Sequence, residues 1–282
     1  MQIEPFSADP LNESYQWWNF DVVNIPEALD IIGQEVKPVN VAVLDTGSPY
    51  AVDPAFTRSI FDTQWGWDMV DNDALADDDE FPNGSFSHGT HVGSTISMLN
   101  DGLDGNGMAA RVTPIRVCAG GCPGSATYGA YLYLNGDDND SLTTFAQRSA
   151  GQKLHSVNMS YGGSGGSATS SACVKLGELA DKGVLIASSS GNSGIGSVGW
   201  PSSCPKVYSV GATNGTDRRS SYSSTNEYVA FSAPGGEYSD WNADGIDDLV
   251  YAYARDNSYV QSNNNGNPVS YTHLTLPTRR GG

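Results

Sequence analysis

The stretch VNVAVLDTGSP, residues 39–49, decides the fold, because an apolar run ends there abruptly in Asp45, Thr46 and Gly47. A short apolar run bounded by turn residues is typical of a buried strand. Further strand-like runs and helix-compatible segments alternate along the chain; the strands are RVTPIRV, HSVNMSY, GVLIASSS, KVYSVGAT and EYVAFSAPG, and the helices HGTHVGSTISML, SLTTFAQRSAG and ACVKLGELADKG. This alternation predicts an α/β fold with a parallel sheet between helices, and functional residues just past the carboxyl ends of the strands. Asp45 and Asn192 occupy such positions.

Length and charge narrow the function classes. The 282 residues include 14 Lys and Arg against 32 Asp and Glu, a formal net charge of −18. We expect one domain of this size and no partnership with nucleic acid or an anionic membrane, which would repel the chain. No apolar run is long enough to span a membrane, and MQIEPFSADPLNES at the N-terminus lacks the basic and apolar parts of a signal peptide. The chain is therefore expected to be intracellular, or a processed or truncated piece.

The four cysteines are Cys118, Cys122, Cys173 and Cys204. The CxxxC spacing of the first two has no matching second pair of metal ligands. We interpret the four as two disulfides formed in an oxidising compartment, the alternative being four reduced, partly buried thiols.

Asp-Thr-Gly at Asp45 is compatible with two kinds of peptidase. In an aspartic peptidase two carboxylates share one proton, so a two-lobed enzyme needs a second Asp-Thr-Gly or Asp-Ser-Gly. The sequence contains no second copy. A single-motif aspartic protease acting as a homodimer therefore stays as the weaker alternative.

The segment FSHGTHVG at 86–93 makes the other interpretation specific. Asp-Thr-Gly followed by His-Gly-Thr-His-Val resembles the subtilase family of serine peptidases, in which the order along the chain is Asp, His, Ser. The resemblance implies a three-layer subtilisin-like fold, with Asp45 as the residue that orients the ring and His88 as the general base.

His91 also raises the question of zinc, since it follows His88 by three residues. The zinc-peptidase motif has the spacing HExxH with a glutamate base, whereas this sequence has HxxH without one. We therefore interpret His91 as a packed histidine in the first turn of a helix.

Two later segments continue the resemblance, VNMSYGGSG at 157–165 and IASSSGNSG at 186–194. The first resembles the family's substrate-binding strand, in which Ser160, Tyr161 and Gly162 would pair with an extended peptide. The second resembles the oxyanion segment, which makes Asn192 the side-chain donor to the developing oxyanion. With the Ala-Pro-Gly turn at 233–235, the resemblance covers residues from about 9 to about 260.

The pattern breaks near the end of the sequence. The family places a Gly-Thr-Ser-Met-Ala-like segment with the nucleophilic serine on a central helix, and no Gly-Thr-Ser triplet occurs in the 282 residues. The tail VSYTHLTLPT at 269–278 is similar to translated sequencing adapter. We expect an incomplete peptidase domain over 1–267, a non-native tail over 268–282 and an inactive chain as written. The competing hypotheses are an inactive subtilase-fold binding protein and a genuine divergent tail.

Two acidic loops are candidate calcium sites, because clustered carboxylates repel one another unless a cation neutralises them. GWDMVDNDALADDD resembles a calcium loop of heat-stable subtilases, and DWNADGIDD places oxygen ligands at alternate positions; the predicted ligands are Asp68, Asp71 and Asp73, and Asp240, Asn242, Asp244 and Asp248. A plain acidic surface is the alternative for both loops.

The resemblance carries further expectations about the mature protein. It implies the disulfides Cys118–Cys122 and Cys173–Cys204, as in certain secreted bacterial subtilases. It also implies a secreted, monomeric endopeptidase that acts on polypeptides, is supported by structural calcium and is released from a propeptide.

Overall fold

A computed structural model describes the chain over 17–32, 39–49, 61–78, 88–98, 107–108, 110–137, 145, 152–163, 167–196, 198–225, 227–240, 243, 245, 247–253 and 259–261. Structural statements below refer to these residues.

The centre of the fold is a seven-stranded sheet in the order β2-β3-β1-β4-β5-β6-β7, in which every neighbouring pair is parallel. Its strands are β1 (Asn40–Asp45), β2 (Trp67–Asp68), β3 (Arg111–Arg116), β4 (Ser156–Met159), β5 (Leu185–Ser189), β6 (Tyr208–Thr213) and β7 (Val229–Pro234). The six strands expected from the sequence are confirmed. The two-residue β2 at the sheet edge was not foreseen, and a small antiparallel pair follows as β8 (Tyr251–Tyr253) and β9 (Tyr259–Gln261).

Helices flank the sheet. They are α1 (Trp17–Asp21), α2 (Ile25–Ile32), α3 (His88–Ser97), α4 (Gly124–Asn135) and α5 (Ser171–Asp181), with a 3₁₀ turn at Thr63–Trp65. Two of the three helices expected from the sequence are confirmed, as α3 and α5. The third, SLTTFAQRSAG at 141–151, lies outside the described residues except for position 145. No helix in the described part of the chain is long and apolar enough to cross a membrane.

Residues of β1 show why the fold has three layers. Ala42 and Leu44 belong to the large core cluster that contains the buried residues of α4 and α5. Val41 and Val43 belong to a second cluster, with Val92 and Ile96 of α3. Because successive side chains of a strand point to opposite faces, β1 is buried on both sides. The three-layer α/β architecture with a parallel sheet, as expected from the sequence, is therefore present.

The helix α4 was missed because it lacks an amphipathic stripe. Most of its residues are buried, so apolar and small side chains run continuously and give no helical period. Its end is nevertheless marked in the sequence: Gly136 has φ +77°, and its backbone N–H donates to the carbonyls of Leu132 and Tyr133. A glycine in this conformation is a common helix terminator.

Candidate active site

Asp45 ends β1 with its carboxylate against the first residue of α3. Its Oδ1 lies 2.6 Å from Nδ1 of His88 and accepts a 2.8 Å hydrogen bond from the backbone N–H of Thr46. The side chain of Asp45 is 2% exposed and that of His88 is 17% exposed. A carboxylate in this position favours the tautomer in which Nδ1 carries the proton, so Nε2 is the basic nitrogen of the neutral ring.

Backbone packing holds the start of α3 against the end of β1. The N–H of Gly89 donates to Oγ1 of Thr46 at 2.8 Å. A Cβ at position 89 would overlap the main chain of Gly47, which itself has φ +111°. Glycine is therefore required at both positions, where two main chains approach more closely than side chains permit.

The predicted substrate strand and oxyanion residue lie at the same edge of the sheet. Leu44 pairs with Met159, and Met159 with Ser188, so Asp45 and the residues that follow β4 and β5 leave the sheet at one level. Gly162 and Asn192 both line a cavity just beyond this edge.

The cavity has a volume of about 280 Å³, and the described residues that line it are glycines and serines together with Asn192 and one aromatic residue, none of them charged. Residues that line it include Gly162, Gly163, Ser190, Asn192, Trp200 and Ser224. Hydroxyls and backbone groups can bind neutral groups, but nothing in these walls would neutralise a charged side chain. The described walls of the cavity therefore suit a neutral group.

Hydrogen bonds hold the cavity walls together. The backbones of Gly163 and Trp200 exchange two hydrogen bonds, of 2.9 and 3.0 Å, and the Trp200–Pro201 peptide bond is cis. On the other side, the hydroxyl of Ser190 donates to the carbonyl of Ser224 at 2.7 Å. In each wall, hydrogen bonds therefore join two segments that are distant in the sequence: Gly163 with Trp200, and Ser190 with Ser224.

Tyr161, one of the predicted substrate residues, has its side chain in the core. Its hydroxyl lies 2.9 Å from that of Tyr131 on α4, and burial raises the pKa of both phenols. Only the backbone of Tyr161 is therefore available to contact a peptide, because its ring packs in the core against α4. Ser160 is buried as well, and its Oγ accepts a 2.9 Å hydrogen bond from Nδ2 of Asn158.

Two disulfides are present. Cys118–Cys122 closes a small loop after β3, and Cys173–Cys204 links the first turn of α5 to the segment between the cavity wall and β6. No described cysteine is free.

An arginine side chain pairs with two carboxylates of the first acidic loop. Nη1 of Arg116 lies 2.7 Å from Oδ2 of Asp68 and 2.7 Å from Oδ2 of Asp71. Oδ1 of Asp68 accepts backbone hydrogen bonds from Val70 and Asp71, and Oδ1 of Asp73 accepts one from Leu75. The groups that contact these carboxylates are therefore N–H donors of the chain itself, and calcium held by Asp68, Asp71 and Asp73 stays a prediction.

The second acidic loop is only partly described. Oδ2 of Asp240 accepts a 2.8 Å hydrogen bond from the backbone N–H of Gly245, as in a tight turn. Asp248 is buried, and a Cβ at Gly215 would overlap its carboxylate. Asn242 and Asp244 lie outside the described residues, so calcium in this loop stays a prediction.

His91 lies inside α3, where it is 1% exposed. In the described ranges no three side chains of His, Cys, Asp or Glu are placed to hold a metal ion. The arrangement gives the zinc interpretation of His91 no support.

Comparison with known proteins identifies the chain. The sequence profile described as the subtilase family matches residues 37–273. The chain belongs to the subtilase family. The aspartic-protease alternative for Asp45 is therefore set aside.

Relatives of this subtilase include bacterial peptidases. It is 30% identical over 223 residues to Subtilisin Savinase from Lederbergia lenta, covering 77% of this chain and 71% of that protein. It is 33% identical over 148 residues to alkaline elastase YaB from Bacillus sp. (strain YaB), covering 52% of this chain and only 36% of that protein. The chain spans 50% of the alkaline protease of Shouchella clausii.

Solved structures show the same fold. Proteases from Pseudoalteromonas arctica PAMC 21717 match with a TM-score of 0.64 and 24% identity, covering 83% of this chain and 73% of that one. A cold adapted subtilisin-like serine proteinase matches with a TM-score of 0.55 and 24% identity, covering 81% of this chain and 72% of that one.

Sequence reasoning missed several residues around this site. No local pattern indicates that Trp200 and Ser224 line the cavity, because they belong to separate segments of the chain. Arg116 could have been found, since a cation at the end of a buried strand needs an acidic partner. Asp78 belongs to the acidic run ADDDE, and nothing in the run itself marks it as a fully buried carboxylate.

Proposed function

We propose that the chain is the greater part of a subtilisin-like serine endopeptidase, which hydrolyses peptide bonds through an acyl-enzyme. The observation that carries the proposal is the 2.6 Å contact between Oδ1 of Asp45 and Nδ1 of His88 at the carboxyl edge of a parallel sheet. The neutral cavity beside Asn192 supports it.

In the proposed reaction His88 acts as the base. Its Nε2 takes the proton of a serine hydroxyl as the serine oxygen attacks the substrate carbonyl, and Asp45 stabilises the imidazolium. The carbonyl oxygen becomes an oxyanion, to which the side-chain amide of Asn192 donates a hydrogen bond. His88 then returns the proton to the leaving amine as the C–N bond breaks, and water repeats the sequence to release the acyl group.

The substrate proposed is an extended polypeptide with a neutral side chain in the cavity. In this proposal the backbone of Ser160, Tyr161 and Gly162 pairs with the peptide as a further strand. Because none of the described lining residues is charged, a buried Lys, Arg, Asp or Glu side chain would find no charge among them to compensate its own.

The nucleophile is proposed to lie in a segment that the 282 residues do not contain. This rests on the lack of a Gly-Thr-Ser triplet and on the adapter-like tail over 268–282. The second candidate function, an inactive subtilase-fold protein that only binds peptides, rests on the same lack of the triplet. The two differ in whether the source gene encodes the serine segment.

The test is to sequence the source locus past the codon for Asn267, express the product of the complete gene, and treat it with a serine-reactive phosphonate. The endopeptidase proposal expects labelling of the complete product, none of the 282-residue chain, and loss of labelling in His88→Ala. If the complete product hydrolyses no peptide and takes up no phosphonate, the binding-protein alternative holds.

Secretion, a cleaved propeptide and a monomeric state are part of the same proposal. Secretion is supported by two disulfides, which persist in oxidising compartments. Structural calcium is proposed for both acidic loops, at Asp240, Asn242, Asp244 and Asp248 and at Asp68, Asp71 and Asp73, where Arg116 offsets part of the negative charge.

A further inference from the structure

Asp78 is a buried carboxylate that neither the sequence motifs nor the proposed reaction uses. It is fully buried, and its Oδ2 accepts two hydrogen bonds from Thr90, from the backbone N–H at 3.1 Å and from Oγ1 at 2.8 Å. Thr90 lies in the first turn of α3, two residues after His88. Asp78 therefore satisfies N–H and hydroxyl donors at the helix start, although it lies ten residues before His88 in the sequence.

The same residue is attached to the segment that follows Asp45. The backbone N–H of Asp78 donates to the carbonyl of Ser48 at 3.0 Å, and its carboxylate also has a side-chain hydrogen bond with Thr46. Oγ1 of Thr46 in turn accepts the N–H of Gly89. Asp78 thus contacts both segments that carry the Asp45–His88 pair, through Thr90 of α3 and through the residues that follow Asp45.

Keeping this carboxylate ionised has an energetic cost. Burial raises the pKa of Asp78 to about 6, while Thr90 and Thr46 oppose the rise and the nearby charge of Asp45 adds to it. The carboxylate has no contact with solvent, so only its protein partners oppose the rise in its pKa. Such perturbed groups concentrate at functional sites, and a negative charge at a helix N-terminus also interacts favourably with the helix dipole.

We propose that Asp78 is a positioning residue for the Asp45–His88 pair, holding the first turn of α3 against Thr46 and thereby setting the hydrogen bond between His88 and Asp45. The inference rests on the proposed function for its catalytic meaning, but the hydrogen bond it concerns exists without the nucleophilic serine. It can therefore be tested on the 282-residue chain.

The test uses the low-field proton resonance of the His88 Nδ1–H in water, assigned by its loss in His88→Ala. Asp78→Ala removes the acceptor of Thr90 and is expected to broaden the resonance beyond detection. Asp78→Asn keeps one acceptor oxygen for both Thr90 donors and is expected to retain it. The matched control is Ser170→Ala, which removes a helix N-cap acceptor at α5, far along the chain, and should leave the resonance unchanged.

The outcomes separate positioning from general stability. If folded Asp78→Ala keeps the wild-type resonance, as Ser170→Ala does, Asp78 only stabilises the fold and the proposal is wrong. If Asp78→Ala does not fold, Thr90→Val removes one of the two hydrogen bonds, and an unchanged resonance in that variant contradicts the proposal equally. Phosphonate labelling of the complete gene product is independent, so failure of one hypothesis is distinguishable from failure of the other.

Discussion

Arg116 and Asp68, 48 residues apart in the sequence, form an ion pair of 2.7 Å whose side chains are only 6% and 2% exposed. The second contact of the same Nη1 atom is Asp71, which is largely exposed. An acidic loop that resembles a calcium site is thus tied to the end of β3 by a cation of the chain itself.

Replacing Arg116 with Met should destabilise the protein strongly, because the carboxylate of Asp68 would stay buried without its cation. Breaking a buried pair in this way costs about 3 to 5 kcal/mol. The control is Lys206→Met, since Lys206 pairs with Asp181 on the surface, where such pairs contribute about 0 to 1 kcal/mol. Denaturant unfolding measures both. Calcium at millimolar concentration should restore part of the lost stability in Arg116→Met alone; equal losses in the two variants would contradict this account.

The stability difference between the wild type and Asp78→Asn should depend on pH. Burial raises the pKa of Asp78 from 3.8 to about 6, so folding favours its protonated form. Relative to Asp78→Asn, the free energy of unfolding of the wild type should be highest below about pH 4. It should fall by about 3 kcal/mol as the pH rises through about 6. Urea unfolding of both proteins between pH 4 and pH 7 checks this. A difference that stays constant over that range would mean that Asp78 titrates normally.

Removing the two disulfides by Cys→Ser pairs should cost different amounts. Cys173–Cys204 spans 31 residues and Cys118–Cys122 spans 4. In the chain-entropy model the longer loop contributes about 3.5 kcal/mol and the shorter about 2 kcal/mol, since a longer closed loop restricts the unfolded chain more. Thermal unfolding of the two double variants shows which of them loses more stability. A larger loss of stability on removing Cys118–Cys122 would show that strain or local packing dominates.

A side chain at position 163 should narrow the cavity without disturbing the fold, because a Cβ on Gly163 meets no atom within 4 Å. In the product of the complete gene, Gly163→Val should lower kcat/KM at least tenfold for peptides with a large aromatic residue at the cleavage site, and less for alanine. Gly177→Val in α5 is the control, since a Cβ there is equally unobstructed and it does not line the cavity. Equal losses on both peptides would argue that this cavity does not receive the substrate side chain.

The sequence predicts the sheet well because its parallel strands are short apolar runs followed by polar or turn residues, as at Asp45 in β1 and at Ser190 after β5. It predicts less where the signal is not local. The helix α4 is apolar around most of its surface and so shows no period, and β2 is too short to form a pattern. Trp200 and Ser224 acquire their roles only when distant segments meet, which no single stretch of sequence displays.

The acidic loops illustrate the same limit in electrostatic terms. A cluster of carboxylates indicates that a cation is needed, but not which one. At Asp68 and Asp71 the cation is Arg116, supplied by a neighbouring strand. The loop sequence alone does not show this arginine, which lies 45 residues after Asp71.

The most direct test of the central claim is the kcat of Asp45→Asn in the product of the complete gene. Asparagine fills the same space but cannot hold the His88 ring in its basic tautomer or stabilise the imidazolium, so peptide hydrolysis should fall by about 10⁴-fold in kcat with little change in KM. A fall of less than tenfold, in a folded variant, would contradict the assignment of Asp45 and His88 as a catalytic pair.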